Sequence, residues 1–238
     1  MLVAAAVCPH PPILVPQVAS GAAAELDELR GACDEAVRRL LEAEPGRLVV
    51  VGGAPHTRGY DATAQGDLRP YGVDMRFGGR PGGPRLPLSL TIGAWLLQRA
   101  SCDLGGVRYQ AVGFAEPASA CLRLGEQMAA AHPRLGLLVM GDGSACRTEQ
   151  APGYLDERAA PYDAAAARAL ASADTAALAA LDPALSQELR AAGRAAWQVL
   201  AGAAGNAAFT AELLADQAPY GVGYLVASWM TAQVPHGT

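Results

Sequence analysis

A chain of 238 residues, 51% of them hydrophobic, carries enough apolar material for one sizeable core, and a single domain is the expected organisation. All 18 basic residues are arginine, scattered among 23 acidic ones for a formal charge of −5, which excludes the basic stripe that nucleic-acid binding requires. Five cysteines without CxxC spacing argue for reduced thiols in a cytoplasmic protein rather than for a disulfide framework, and no stretch approaches the roughly 20 apolar residues of a membrane span.

The opening segment MLVAAAVC lacks the basic start of a leader peptide and meets Pro9 after a short apolar run. Leu2 to Cys8 is therefore expected as a strand buried on both faces, stopped by Pro9, Pro11 and Pro12. From Ala22 to Glu44 the positions Leu26, Leu29, Cys33, Val37, Leu40 and Leu41 keep helical spacing, which Pro45-Gly46 ends. Arg47 to Val51 is a second apolar run, completing a βαβ unit with His10 and His56 just beyond its two strands. If those strands are parallel neighbours, both loops open on one sheet edge, where ligands bind in open α/β folds.

Gly52 to Pro87 is rich in Gly, Pro and Arg and shows no periodicity beyond short extended pieces such as Gly72 to Phe77. A connection of that length is expected to serve as a lid over the pocket, and its Arg58, Arg76, Arg80 and Arg85 are either solvated or available to an acidic substrate. Leu88 to Ala100 reads as a helix, Val107 to Phe114 as a strand, Ser119 to Ala131 as a helix closed by Pro133, and Leu135 to Met140 as a buried strand delivering GDGSACR. Tyr162 to Ala173, Thr175 to Leu181 and Pro183 to Ala203, broken near Gly193, are alanine-rich helices. Their apolar face, with Leu170, Leu178, Leu181, Leu185, Leu189, Trp197 and Leu200, marks them as packed rather than low-complexity. Tyr220 to Met230 closes as a strand, with Gly221 and Gly223 admitting another backbone. The expected fold is α/β, a central mostly parallel sheet flanked by helices.

His10 in CPHPPIL, His56 in GGAPHT and the closing APYGVGYLVASW together resemble the LigB-like class III extradiol dioxygenases, over Met1 to about Trp229. The resemblance implies a LigB-like fold and a metal-dependent oxidoreductase acting on a phenolic small molecule. It also implies Fe(II) held on one face by two histidines and a carboxylate, with the other face left to the catecholate and dioxygen. On this resemblance the metal positions are His10, His56 and Gln217. Two motif positions depart from the family. The carboxylate ligand is replaced by Gln217, an uncharged and poorer donor, so iron would be held weakly, with zinc or no metal as alternatives. The family's GDLSH strand end reads Gly141-Asp142-Gly143-Ser144-Ala145, so the acid/base imidazole is a methyl group. His132 precedes its strand at the opposite end and His236 lies in the tail, and neither is an evident substitute.

Asp142 and Ser144 are retained and are the candidates for catalysis; Asp142 also reads as a turn cap or as a hydrogen-bond partner of His10 or His56. Each histidine is equally readable as a loop residue fixing its own turn. Cys8 reads as core and Cys146 as a loop thiol, although either thiolate would favour zinc or copper. The resemblance therefore leaves two functions open: an extradiol-type enzyme with a rearranged third ligand, or a non-catalytic or chemically diverged relative that binds a small aromatic or phenolic ligand or a partner. The Memo-like proteins of the wider superfamily make such divergence credible. Assembly into a homo-oligomer is left open by the sequence.

Overall fold

The computed structural model describes residues 1–232. Its strands are β1 (Leu2–Cys8), β2 (Arg47–Ala54), β3 (Arg58–Tyr60), β4 (Gly66–Asp67), β5 (Arg76–Phe77), β6 (Arg108–Gly113), β7 (Leu135–Met140), β8 (Phe209–Gln217) and β9 (Tyr224–Thr231). The helices are α1 (Pro16–Ala19), α2 (Asp27–Glu42), α3 (Leu88–Arg99), α4 (Ala118–Ala131), α5 (Ala159–Ser172), α6 (Thr175–Ala179), α7 (Pro183–Glu188) and α8 (Arg194–Ala204). Seven strands form one sheet in the order β3-β6-β2-β7-β1-β9-β8, and β4 and β5 make a separate hairpin. The expected α/β architecture is the observed one.

β6, β2, β7 and β1 are parallel, and their apolar runs are buried on both faces. Alternate side chains feed two cores. Val7, Val51 and Val139 pack beneath the helices that include α4, α5 and α8, while Ala6, Val50 and Leu138 pack against α2 and α3. The parallel strands require helical crossovers, so their carboxyl ends gather at one edge of the sheet. β8 runs antiparallel to β9, which runs antiparallel to β1, so β8 also ends at that edge.

Three expectations need correction. β1 and β2 are parallel but not neighbours, because β7 lies between them and pairs with both. β8, half-exposed at the sheet edge, is a strand that the sequence reading did not anticipate. The long connection after β2 is not arranged as a lid: β3 pairs with β6, and the β4–β5 hairpin packs on α3, where Gly66 sits against Thr91 and Phe77 lies beside Trp95. Within it Asp67 is clamped by Arg69 and Arg85, Arg76 pairs with Asp74, and Arg58 stacks over Tyr60.

Candidate functional site

The carboxyl edge gathers the loops after β1, β7 and β2. His10 is buried, with 6% of its surface exposed. Its backbone N–H donates to Asp142 Oδ1 at 2.7 Å, which fixes the turn after β1 to the turn after β7. The imidazole Nδ1 faces the same oxygen at 3.5 Å but makes no hydrogen bond, and is buried without a partner. Burial pushes the Asp142 carboxyl above its ordinary range, with His10 pulling the other way. Asp142 thus bonds the backbone of His10 and not its ring.

A residue the sequence reading passed over completes the cluster. Continuing the register past Val7↔Ala227 brings Tyr224, at the start of β9, alongside the turn carrying His10. Tyr224 is 2% exposed, and its phenol is pushed well up by burial and by the charge of Asp142. Its hydroxyl has no hydrogen bond among the described residues. Gln217 pairs directly with Tyr224 across β8 and β9, so the two side chains share a sheet face. Two strand spacings separate it from β1, roughly 10 Å. Asp216 pairs with Leu225 and is on the opposite face, as expected for an extended segment.

His56 takes a different course. It is exposed, and the turn carrying it is drawn toward β6 by the next residue: Thr57 Oγ1 donates to Glu116 at 2.6 Å and accepts from the Gly113 N–H at 3.0 Å. With β7 between them, the ends of β1 and β2 stand about 10 Å apart. Among the described residues no three His, Cys, Asp or Glu side chains form a group able to hold a metal ion. The donor set near His10 is one buried imidazole, an amide two strands away and a carboxylate already bonded to the His10 backbone. It does not fit the face of two histidines and one carboxylate that the resemblance to the LigB-like dioxygenases implies for Fe(II).

The GDGSACR loop is held by structural bonds. Ser144 is fully buried, and its N–H and hydroxyl both donate to Asp163, each at 2.7 Å. Arg147 adds a third donor at 3.0 Å. Gly143 donates to the Gly223 carbonyl and Gly223 to the Ser144 carbonyl, so the close approach expected of Gly223 is to this loop. Both Ser144 donors are thereby taken up by Asp163. Ala145 gives its N–H to Leu189 and its carbonyl to Gly153. Cys8 is core, and Cys146 is buried with its thiol on the Leu189 carbonyl. His132 precedes β7, at the edge of the sheet away from His10, and His236 lies outside the described residues.

No family model matches the chain, and no curated protein matches it. Among solved structures, the crystal structure of the uncharacterized protein JW3007 from Escherichia coli K12 is similar with a TM-score of 0.58 at 12% identity, covering 96% of this chain and 99% of that one. At that identity the likeness establishes a shared fold. Among the described residues no helix is long and apolar enough to cross a membrane.

Proposed function

We propose that this protein is a chemically diverged relative of the LigB-like extradiol dioxygenases that binds a small phenolic molecule at the carboxyl edge of its sheet and does not open catechol rings. The observation that carries this reading is the GDGSA loop. At the position of the family's acid/base imidazole stands Ala145, a methyl group whose backbone is bound to Leu189 and Gly153. Its neighbour Ser144 is consumed by Asp163. Neither Ala145 nor Ser144 is free to take a proton from a catechol hydroxyl. Around His10, by contrast, polar groups remain unspent: the buried Nδ1 of His10 and the hydroxyl of Tyr224. A phenol hydroxyl is the right size and chemistry to satisfy them, donating to one and accepting from another. The five free cysteines are consistent with a reducing, cytoplasmic setting.

A second reading, an extradiol-type oxidoreductase with Asp142 as a rearranged carboxylate ligand, is favoured by one observation, the unpartnered buried imidazole beside that carboxylate. One experiment separates the two. Protein purified without added metal is analysed for metal and then titrated with Fe(II) anaerobically, while catechol binding is followed by ligand-observed NMR in wild type and His10→Ala. The first reading expects substoichiometric iron and metal-independent catechol binding that His10→Ala abolishes. Stoichiometric iron, with catechol binding only to the loaded protein, would replace it with the second.

A further inference from the structure

A cavity opens at the same edge, on the side of the sheet facing α8, with a volume of about 310 Å³ and a lining of Phe114, Ala115, Gln187, Arg190, Ala191 and Ala192, closed by the buried Ser186. Pockets for small molecules begin at about this size. Two of its lining residues, Phe114 and Ala192, close over Gly53 of β2, where the missing side chain is what admits both. A Cβ there would stand 2.5 Å from the Phe114 ring and 2.7 Å from the Ala192 carbonyl.

Both walls are fixed. The N–H of Phe114 donates to the Ala54 carbonyl at 2.9 Å, and its own carbonyl accepts from the buried guanidinium of Arg194, which also holds the Glu116 carbonyl. Phe114 is nevertheless 43% exposed, an aromatic surface presented rather than packed away. Opposite it, the turn after α7 is locked by Ala191 N–H on the Ser186 carbonyl at 2.8 Å and Gly193 N–H on the Asp142 carbonyl at 2.7 Å. Arg190 sits in this turn at φ 53°, a left-handed backbone that a non-glycine residue adopts at a cost.

Arg190 is exposed and pairs with no carboxylate among the described residues. Its side-chain hydrogen bond among the described residues runs from Nη1 to the Pro152 carbonyl at 2.8 Å, leaving the edge formed by Nε and Nη2 for a bidentate anion. The interior of the cavity is otherwise mostly apolar: the hydroxyl of Ser186 is taken up by Tyr162 and the Asp182 carbonyl.

We propose that this cavity binds a small aromatic carboxylate, with the ring against Phe114 and the carboxylate on the free edge of Arg190. A ring supplies flat apolar area for Phe114 to stack on, and a carboxylate is the planar two-oxygen group that a guanidinium edge matches. The site is separate from the His10 cluster and does not depend on the reading given for it.

The test uses phenylacetate as the probe, followed by calorimetry and ligand-observed NMR on the full chain. Wild type should bind one phenylacetate per chain with Kd of about 1 mM or tighter, and the neutral phenylacetamide should bind much more weakly. Arg190→Gln should weaken phenylacetate about 10- to 100-fold, the loss of a charge-assisted hydrogen-bonded pair, and Arg190→Lys should lose less. Phe114→Leu, which keeps apolar volume, should weaken both compounds. Thermal melts identify any variant that fails to fold, and the amide compound applied to wild type keeps the charge test independent of them. Phenylacetate binding unchanged in His10→Ala would support the placement. Loss of binding there would move the ligand to the histidine cluster and overturn this proposal while leaving the previous reading standing. No saturation of wild type below about 10 mM, or equal affinity for the acid and the amide, would also overturn it.

Discussion

Removing the Asp163 carboxylate should uncouple the GDGSACR loop from α5, at a cost that follows from its bonds. Asp163 is 1% exposed and accepts from the Ser144 N–H and hydroxyl at 2.7 Å each and from Arg147 at 3.0 Å. In Asp163→Ala the two Ser144 donors are left buried, each costing about 1–3 kcal/mol, whereas Arg147, 28% exposed, turns to solvent at little cost. The expected loss is about 3–4 kcal/mol, in the range for breaking a buried charged pair. For a chain of this size that is a fall in Tm of about 6–16 °C. Asp163→Asn keeps one acceptor oxygen and no longer buries a charge, and burial already pushes this carboxyl above its ordinary range. Its loss should be near half as large. Urea unfolding at neutral pH gives the comparison, with a lower midpoint and an unchanged m-value in both variants. Asp163→Ala unfolding within about 0.5 kcal/mol of wild type would refute the role of Asp163 in holding the loop.

Gly223→Ala should act through the same contact, since a methyl there collides with the Asp163 carboxylate. Its cost of about 2 kcal/mol should shrink when combined with Asp163→Ala in a double-mutant cycle, and simple additivity would argue against the contact. Gln217→Glu should leave Fe(II) affinity unchanged in matched anaerobic titrations, because position 217 lies two strands from β1 and no metal-holding group forms there among the described residues, and a roughly tenfold tightening would mean that the missing charge is what limits the site. Glu35 is held at about 2 against an ordinary 4.5 by hydrogen bonds from Arg38 and Arg39. Between those values the unfolded chain takes up a proton that the folded chain refuses, so this contribution to stability is present above pH 4.5 and is lost as pH falls toward 2. Glu35→Gln should flatten acid unfolding in that window, an effect read from urea midpoints at successive pH values.

Much of the fold was legible because burial on both faces leaves an unambiguous pattern. Leu2–Cys8 and Leu135–Met140 are uninterrupted apolar runs, observed as β1 and β7 with the expected bounds. The order of strands was not legible: nothing in the βαβ pattern of residues 2–51 reveals that β7, more than eighty residues further on, inserts between β1 and β2. β8 was hidden by its position. As an edge strand it is exposed along one side, its residues include the helix-favouring Ala, Glu and Leu, and a bulge between Leu213 and Ala215 breaks the alternation that would have marked it. At the site, His10 and Asp142 stood out by motif and are in contact. Ser144 stood out equally, but its partner Asp163 lies in an alanine-rich helix that offers no local signal. Tyr224 was concealed inside a strand, where an aromatic residue reads as core. Arg190 and Phe114 meet only through the tertiary fold.

Protocatechuate turnover decides whether this chain opens catechol rings. Wild type, loaded with Fe(II) under reducing conditions and then given oxygen, should form no ring-fission product above the protein-free control. A missing acid/base group alone typically removes about 10² to 10⁴ in rate, and the anionic ligand is absent as well. Yellow ring-fission product from wild type at an ordinary enzymatic rate would mean that it does, with Asp142 or another group taking over both missing roles.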